Sequence, residues 1–290
     1  MRAPLAPLKA EADYLANRLP RLTNVAGPAS AAHPGTAGRR RAGAGENFWQ
    51  YRRYSNEDGA QRIDWRRSAR GNHLYVRETE LETSRTFLFW VDPSEGFNWS
   101  GTKGGVTKAE RALVISLGLA RLLVRSGERC GALGGPRAPS SGPRAVQLTA
   151  EDLWTRPYES PFPPPYRDPS SILLASDFYQ PMDIWKARIK AHAANHPSGV
   201  ILAVADPIET TYPFEGRVRL FDPGNKQARL LGRAENLKSA YLEKFSERRN
   251  EIKHLAQSVG WGFVAHTTNE PAQEILAQIA SFFENRRRMT

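Results

Sequence analysis

Residues 87–91 (FLFWV) form an unbroken apolar run of strand-forming side chains, with no polar position to mark a solvent face. A strand that is apolar on both faces belongs inside a sheet covered by helices. The runs 171–175 (SILLA) and 200–205 (VILAVA) read the same way, and 261–265 (WGFVA) supplies a fourth strand. Between these runs the apolar period lengthens to that of a helix. Ala112, Leu113, Ser116, Leu117, Ala120, Leu123 and Val124 recur at helical spacing within 110–125, and Gly127 stops the helix. Helices are also predicted over 182–195, 237–259 and 272–285, with a weaker amphipathic one over 11–22 carried by Leu15, Leu19 and Leu22. Strands alternating with helices define an α/β fold. The four apolar runs should share one mainly parallel sheet, with helices on both faces.

The remaining segments read as connections and smaller elements. Residues 25–45 are rich in Ala, Gly and Pro and read as a linker, and 47–54 (NFWQYRRY) as an edge strand. Residues 63–69 are short and irregular, and 73–81 alternate as a half-exposed strand. Short strands at 129–133 and 145–148 flank a Gly/Pro-rich loop at 134–143, after which Thr149 caps a brief helix at 150–154. The proline-rich 157–169 suits neither helix nor central strand. Residues 217–221 and 228–231 pair as a hairpin across 222–227. The expected organisation is an N-terminal helix and linker (1–45), a small β-rich extension (46–84) and the α/β domain (85–290).

Composition narrows the classes. The formal charge of +11 arises from 41 basic and 30 acidic residues, but the excess is spread out, with short runs at 39–41 and 286–288. That pattern fits solvated charge better than a dedicated nucleic-acid surface. A single cysteine, Cys130, excludes an internal disulfide framework and suits a reducing compartment. No apolar run approaches the roughly 18 residues that span a bilayer. Lys9, Glu11, Asp13 and Arg18 interrupt the first 20 residues, so no secretory core is present there. A cytoplasmic location is expected, without a transmembrane segment.

Candidate chemistry concentrates where the buried strands end. Asp92-Pro93-Ser94 follows the first, Ser176-Asp177 the second and Asp206-Pro207 the third. Open α/β sheets place ligands beyond the carboxyl ends of their strands. Other constellations fall away on spacing. His192 and His196 are four apart, but Ala193 breaks the HExxH pattern and Pro197 ends the helix, which favours helix capping. Residues 101–108 (GTKGGVTK) lack the spacing of a phosphate loop, no GxSxG elbow occurs, and Cys130 lies inside a strand. Nothing assembles into a catalytic triad, and a non-enzymatic protein is expected.

The stretch 54–82, YSNEDGAQRIDWRRSARGNHLYVRETELE, carries Glu57-Asp58, then Arg62, Ile63-Asp64-Trp65 and Ser68-Ala69-Arg70. With the later DPIETTYPFEG at 206–216, it resembles the family called "domain of unknown function 58" over roughly 38–283. The resemblance implies a von Willebrand factor A-like domain with a small N-terminal β extension. It also implies a protein-interaction module that works as an adaptor with a MoxR-type AAA+ ATPase. A basic nucleic-acid-binding protein is the alternative, and a metal-dependent hydrolase a more distant one. In the implied fold, three loops at the sheet edge supply oxygens to a magnesium ion. Asp92 and Ser94 match the first loop and Asp177 the third, while Thr149 is the candidate from the second. Gly96 stands where the pattern has a second serine, so the site is degenerate and at most weak magnesium binding is expected. The signature residues Arg62, Asp64, Trp65, Ser68 and Arg70 suggest a polar network that locks the strand pair in place. Trp65 should then be buried with its indole hydrogen-bonded and Asp64 paired with an arginine; a partner-binding surface is the other reading.

Overall fold

The computed structural model describes residues 2–22, 42–55, 59, 61, 63–69, 71, 73–80, 84–221 and 228–285, of which 42–50, 77–80 and 285 by backbone alone. In chain order the elements begin with α1 (Leu5–Asn17), β1 (Ala42–Arg53), α2 (Trp65–Ser68), β2 (Tyr75–Glu80) and β3 (Thr86–Val91). Next come α3 (Lys108–Arg125), β4 (Arg129–Ala132), α4 (Pro143–Trp154), β5 (Ser171–Ser176), α5 (Met182–Asn195), β6 (Ser198–Ala205) and α6 (Pro207–Thr211). The last are β7 (Val218–Phe221), β8 (Ala228–Leu231), α7 (Lys238–Ser258), β9 (Gly262–Thr267) and α8 (Ala272–Asn285). The chain divides into two compact units, one of Met1–Pro28 with Arg85–Thr290, the other of Ala29–Ser84.

The larger unit is built on a five-stranded sheet of order β4-β3-β5-β6-β9, every pair parallel. The four predicted runs lie together in it, and β3 is interior, hydrogen-bonded to β4 on one side and β5 on the other. Its unbroken apolar sequence is explained by its two covers. Phe87, Phe89 and Val91 point into a core with α1, α3, α4 and α8, whereas Leu88 and Trp90 point into a second core with α5 and α7. β5 divides in the same way, Leu173 and Ala175 to one face and Ile172 and Leu174 to the other. Period-two alternation is therefore present but invisible to polarity, since both faces are dry. Gly199 in β6 is required by close packing, because a Cβ there would lie 2.4 Å from the Trp261 indole. Among the described residues no helix is long and apolar enough to cross a membrane.

Two local expectations are corrected. Residues 145–148 are not a strand and Thr149 caps nothing: both lie inside α4, which starts at Pro143 in the first helical turn. Its buried residues Ala145, Val146, Thr149, Ala150 and Leu153 follow helical spacing. The N-terminal helix runs over Leu5–Asn17, not 11–22, because its buried stripe is Leu8, Ala12, Leu15 and Ala16. Nor does it stand apart with the linker. It packs on α3, where Arg121 forms a two-pronged pair with Asp13 at 2.7 Å and Arg111 meets Glu11 at 3.1 Å.

The smaller unit is the antiparallel pair β1–β2, with Arg53 opposite Tyr75 and Gln50 opposite Glu78. The single turn α2 is clipped to it through Ile63, which bridges Val76. Residues 25–41, the greater part of the expected linker, lie outside the described residues.

His192 and His196 are structural. His192 donates from Nε2 to the Pro163 carbonyl at 3.0 Å. His196 accepts the Tyr166 backbone N–H on Nε2 at 3.3 Å, which leaves the proton on Nδ1 to face the Ser170 hydroxyl at 2.8 Å. Burial, then the neighbouring His192, pushes His196 down to about 4, and burial, then Arg111, does the same to His266. Both are thus held neutral in the folded protein. An unfolded chain protonates them near 6.5, so their contribution is present above that value and is lost as pH falls toward about 4. Ring resonances followed by NMR should show no protonation of either histidine until pH approaches about 4. Titration near 6.5 would contradict this packing.

Candidate functional site

The sheet order sets the position of the site. From β3 the chain turns toward β4, whereas from β5 it turns toward β6, so the connections diverge between β3 and β5. A crevice opens at such a switch point. Asp92 and Asp177 stand on its two sides, each immediately after its strand. The Asp92 backbone N–H donates to the Ala175 carbonyl at 2.9 Å and so carries the pairing one residue past the strand.

The Asp92 carboxyl is 7% exposed. One oxygen accepts the Ser176 hydroxyl at 2.6 Å and the other the Ser94 backbone N–H at 2.9 Å. Burial, then the charge of Asp177, pushes its pKa up against those hydrogen bonds. Ser94 Oγ accepts the Phe97 N–H at 3.3 Å, closing the turn after β3.

Asp177 is engaged by a residue that spacing did not single out. Lys108 opens α3 and is 1% exposed, with its ammonium 2.8 Å from Asp177 Oδ2 and 2.8 Å from Glu209 Oε1. Phe97, Trp99 and Tyr179 surround it with ring centroids at 6.0, 5.9 and 5.2 Å. Burial works to lower the lysine pKa, but Asp177 and Glu209 outweigh it and hold the group charged. Glu209 is fixed by its own helix. It forms a capping box with Asp206 at the start of α6, accepting the Asp206 N–H at 2.8 Å, while Asp206 accepts the Gly101 N–H at 2.9 Å.

Beside Asp92 lies a pocket of about 200 Å³, lined by Trp90, Asp92, Ser94, Phe162, Gln180 and Arg188 among others. Arg188 donates to Gln180 Oε1 at 2.5 Å and lies over the rings of Phe162 and Trp185, at 4.9 and 5.1 Å. The indole N–H of Trp90, a residue 3% exposed, has no acceptor among the described residues. A buried donor left unpaired is costly, by about 1–3 kcal/mol. The pocket therefore offers an aromatic wall and a guanidinium to an incoming acceptor.

Asp92, Ser94 and Asp177 thus meet at the carboxyl edge, as expected, but Thr149 does not join them. It is 2% exposed in the middle of α4 and donates to the Ala145 carbonyl at 2.8 Å. This donor set does not fit a three-loop magnesium site. Lys108 is ion-paired to Asp177, Thr149 is spent on its helix, and Gly96 has no side-chain oxygen. Among the described residues no group of three or more His, Cys, Asp or Glu could hold a metal. Sequence reasoning also missed Glu209, although Asp206-x-x-Glu209 is a legible capping box, and Arg188, one turn beyond Trp185.

The signature segment builds a local network. Asp64 caps α2 by accepting the Arg67 N–H at 2.9 Å, and it also accepts the Tyr51 hydroxyl at 3.3 Å. Buried Ser68 donates to the Asp64 carbonyl at 2.8 Å and accepts the Tyr75 N–H at 2.9 Å. Trp65 is not buried as expected but 63% exposed. In a single turn clipped on by its capping residue and its last serine, the first position points away from the strands. Arg67 lies over the rings of Tyr51 and Tyr75 at 5.6 and 5.5 Å. Arg62 and Arg70 lie outside the described residues.

These features define a parallel α/β domain with a pocket at its switch point, joined to a small β unit bearing an aromatic–basic turn. The family described as "Protein of unknown function DUF58" matches residues 50–144. That stretch includes Asp64–Ser68, Asp92, Ser94 and Lys108. Comparison with curated proteins finds no match. Among solved structures, an uncharacterized membrane spanning protein from Vibrio fischeri is similar at 14% identity over 69% of this chain and 97% of that one. Its TM-score of 0.17 is too low to carry an argument.

Proposed function

We propose that the chain is a von Willebrand factor A-like, non-enzymatic interaction module of the DUF58 kind, docking a protein partner at the β3–β5 crevice. The partner implied by the family resemblance is a MoxR-type AAA+ ATPase, for which this protein serves as adaptor in the cytoplasm, where ATP-driven machines are supplied. The observation that carries the reading is the pocket beside Asp92, with its Arg188 laid on aromatic rings. Such a cleft suits one anchoring side chain with acceptor atoms, the kind of central contact that dominates protein interfaces. The thiol and the two imidazoles singled out in the sequence are not among the residues that line the pocket. Burial pushes the Cys130 thiol well up, away from the reactive thiolate, and His192 and His196 are committed to backbone and serine partners.

Capture of a purified MoxR-type ATPase by wild type, Asp92→Ala and Arg188→Ala tests the reading. Loss of one anchor contact should weaken capture about tenfold or more. Melting curves should stay close to wild type for Arg188→Ala, half-buried on α5, and fall modestly for Asp92→Ala, which loses the bonds from Ser176 and Ser94, so capture is compared below both melting temperatures. Equal capture by all three proteins would remove the pocket from the interface.

A second reading has its own observation. Exposed Trp65, flanked by exposed Arg66 and Arg67, offers a stacking face and positive charge to single-stranded nucleic acid. Any such binding should be non-specific and fade as salt approaches the physiological range. Retention there, lost in Trp65→Ala, would favour nucleic acid over the adaptor.

A further inference from the structure

Lys108 occupies a place where a lysine is doubly disfavoured. It stands at the first position of α3, against the positive end of the helix dipole, and its ammonium is taken out of water. What holds it there comes from three consecutive strand ends. The turn after β3 contributes the rings of Phe97 and Trp99, the residue after β5 contributes Asp177, and α6, directly after β6, contributes Glu209. Two carboxylates and three ring faces thus converge on a single positive charge.

We propose that Lys108 is the resident cation of this sheet edge. Its tethered ammonium takes the carboxylate that a bound dication would need, and the crevice therefore works without metal. The inference deepens the docking reading by making it metal-independent. It does not rest on the identity of any partner, because metal binding is measurable on the protein alone.

The geometry agrees with this assignment at each contact. Asp177 spends one oxygen on the ammonium and the other on the Tyr179 N–H, at 2.8 and 3.2 Å. Glu209 divides its oxygens between the ammonium and the Asp206 N–H, both at 2.8 Å. Asp92, the remaining carboxyl of the crevice, holds the Ser176 hydroxyl and the Ser94 N–H. A dication entering here would have to displace a charge that is covalently part of the chain and cannot diffuse away.

Titration of the full chain with magnesium chloride and manganese chloride in a calorimeter, beside melting curves with and without EDTA, tests the proposal. Wild type should give no saturable heat and an unchanged melting temperature. Lys108→Met leaves Asp177 and Glu209 facing each other uncompensated, so its melting temperature should rise with added manganese. The triple variant Lys108→Met, Asp177→Asn, Glu209→Gln should melt alike with and without metal. Saturable one-to-one magnesium binding by wild type that Asp177→Asn abolishes would overturn the proposal, and this arm decides the matter if the lysine variants fail to fold. Equal capture by Asp92→Ala would sink the docking reading and leave the resident cation standing.

Discussion

Lys108→Met should destabilise the α/β unit by about 3–5 kcal/mol at neutral pH, because removing one partner of a buried ion pair leaves the others uncompensated. The methionine keeps most of the apolar stem, so little of the loss is packing. What remains is two carboxylates that both faced one ammonium at 2.8 Å and now face each other. The pH dependence separates charge from shape. In wild type the lysine pKa is raised above 10.5, so its contribution is fully present below that value and is lost only as pH rises through the folded pKa. In the variant Glu209, whose carboxyl burial already pushes up, loses the ammonium that opposed that push, so stability should recover as pH falls and it takes a proton. Urea unfolding of both proteins at neutral and acidic pH reads this directly. An equal deficit at both pH values would assign the loss to packing instead.

Trp185→Ala should cost about 3–5 kcal/mol, the range for removing a buried large aromatic. Trp185 is 0% exposed and sits among Phe178, Phe162 and Trp90, with ring centroids at 4.6, 5.9 and 6.1 Å. Its indole N–H has no acceptor among the described residues, so the loss is one of contact area and not of a hydrogen bond. Trp185→Phe should therefore recover a large part of the stability. Arg188 lies over the same ring, so the alanine variant should also weaken partner capture when assayed below its melting temperature. Denaturation midpoints of the two variants check the first expectation. A phenylalanine variant as unstable as the alanine one would mean that the indole makes a contact this packing does not contain.

The parts of the fold that were legible in sequence are those where burial demands an unbroken signal. FLFWV and VILAVA can only be interior strands, since polar atoms on either face would be stranded between helices. α4 escaped because its stripe is made of Ala, Val and Thr behind a Gly/Pro-rich loop, where alternation and helical spacing look alike over four residues. At the site, Asp92, Ser94 and Asp177 were visible because strand ends announce themselves by abrupt polarity. Thr149 failed for the opposite reason: its hydroxyl is satisfied by its own helix, and nothing in local sequence distinguishes that from a loop. Lys108 was hidden by its residue type, since lysine reads as solvated surface unless the carboxylates that reach it are known. Those carboxylates are 69 and 101 residues further along the chain.

The route of the chain around residue 126 has a consequence for how the protein is assembled from parts. Ser126, which caps α3, donates to the Leu22 carbonyl at 2.9 Å, and three residues later the Arg129 N–H donates to the Arg85 carbonyl at 2.8 Å. The polypeptide therefore leaves the larger unit and re-enters it at one corner, with the whole β1–β2 unit spliced into the excursion. An excursion that departs and returns at neighbouring points closes at an entropic cost that grows only with the logarithm of its length. Among the described residues, the sheet and both its cores draw on the larger unit alone. Changes of length between Leu22 and Arg85 should therefore cost the larger unit little, and the crevice between β3 and β5 should keep its shape through them.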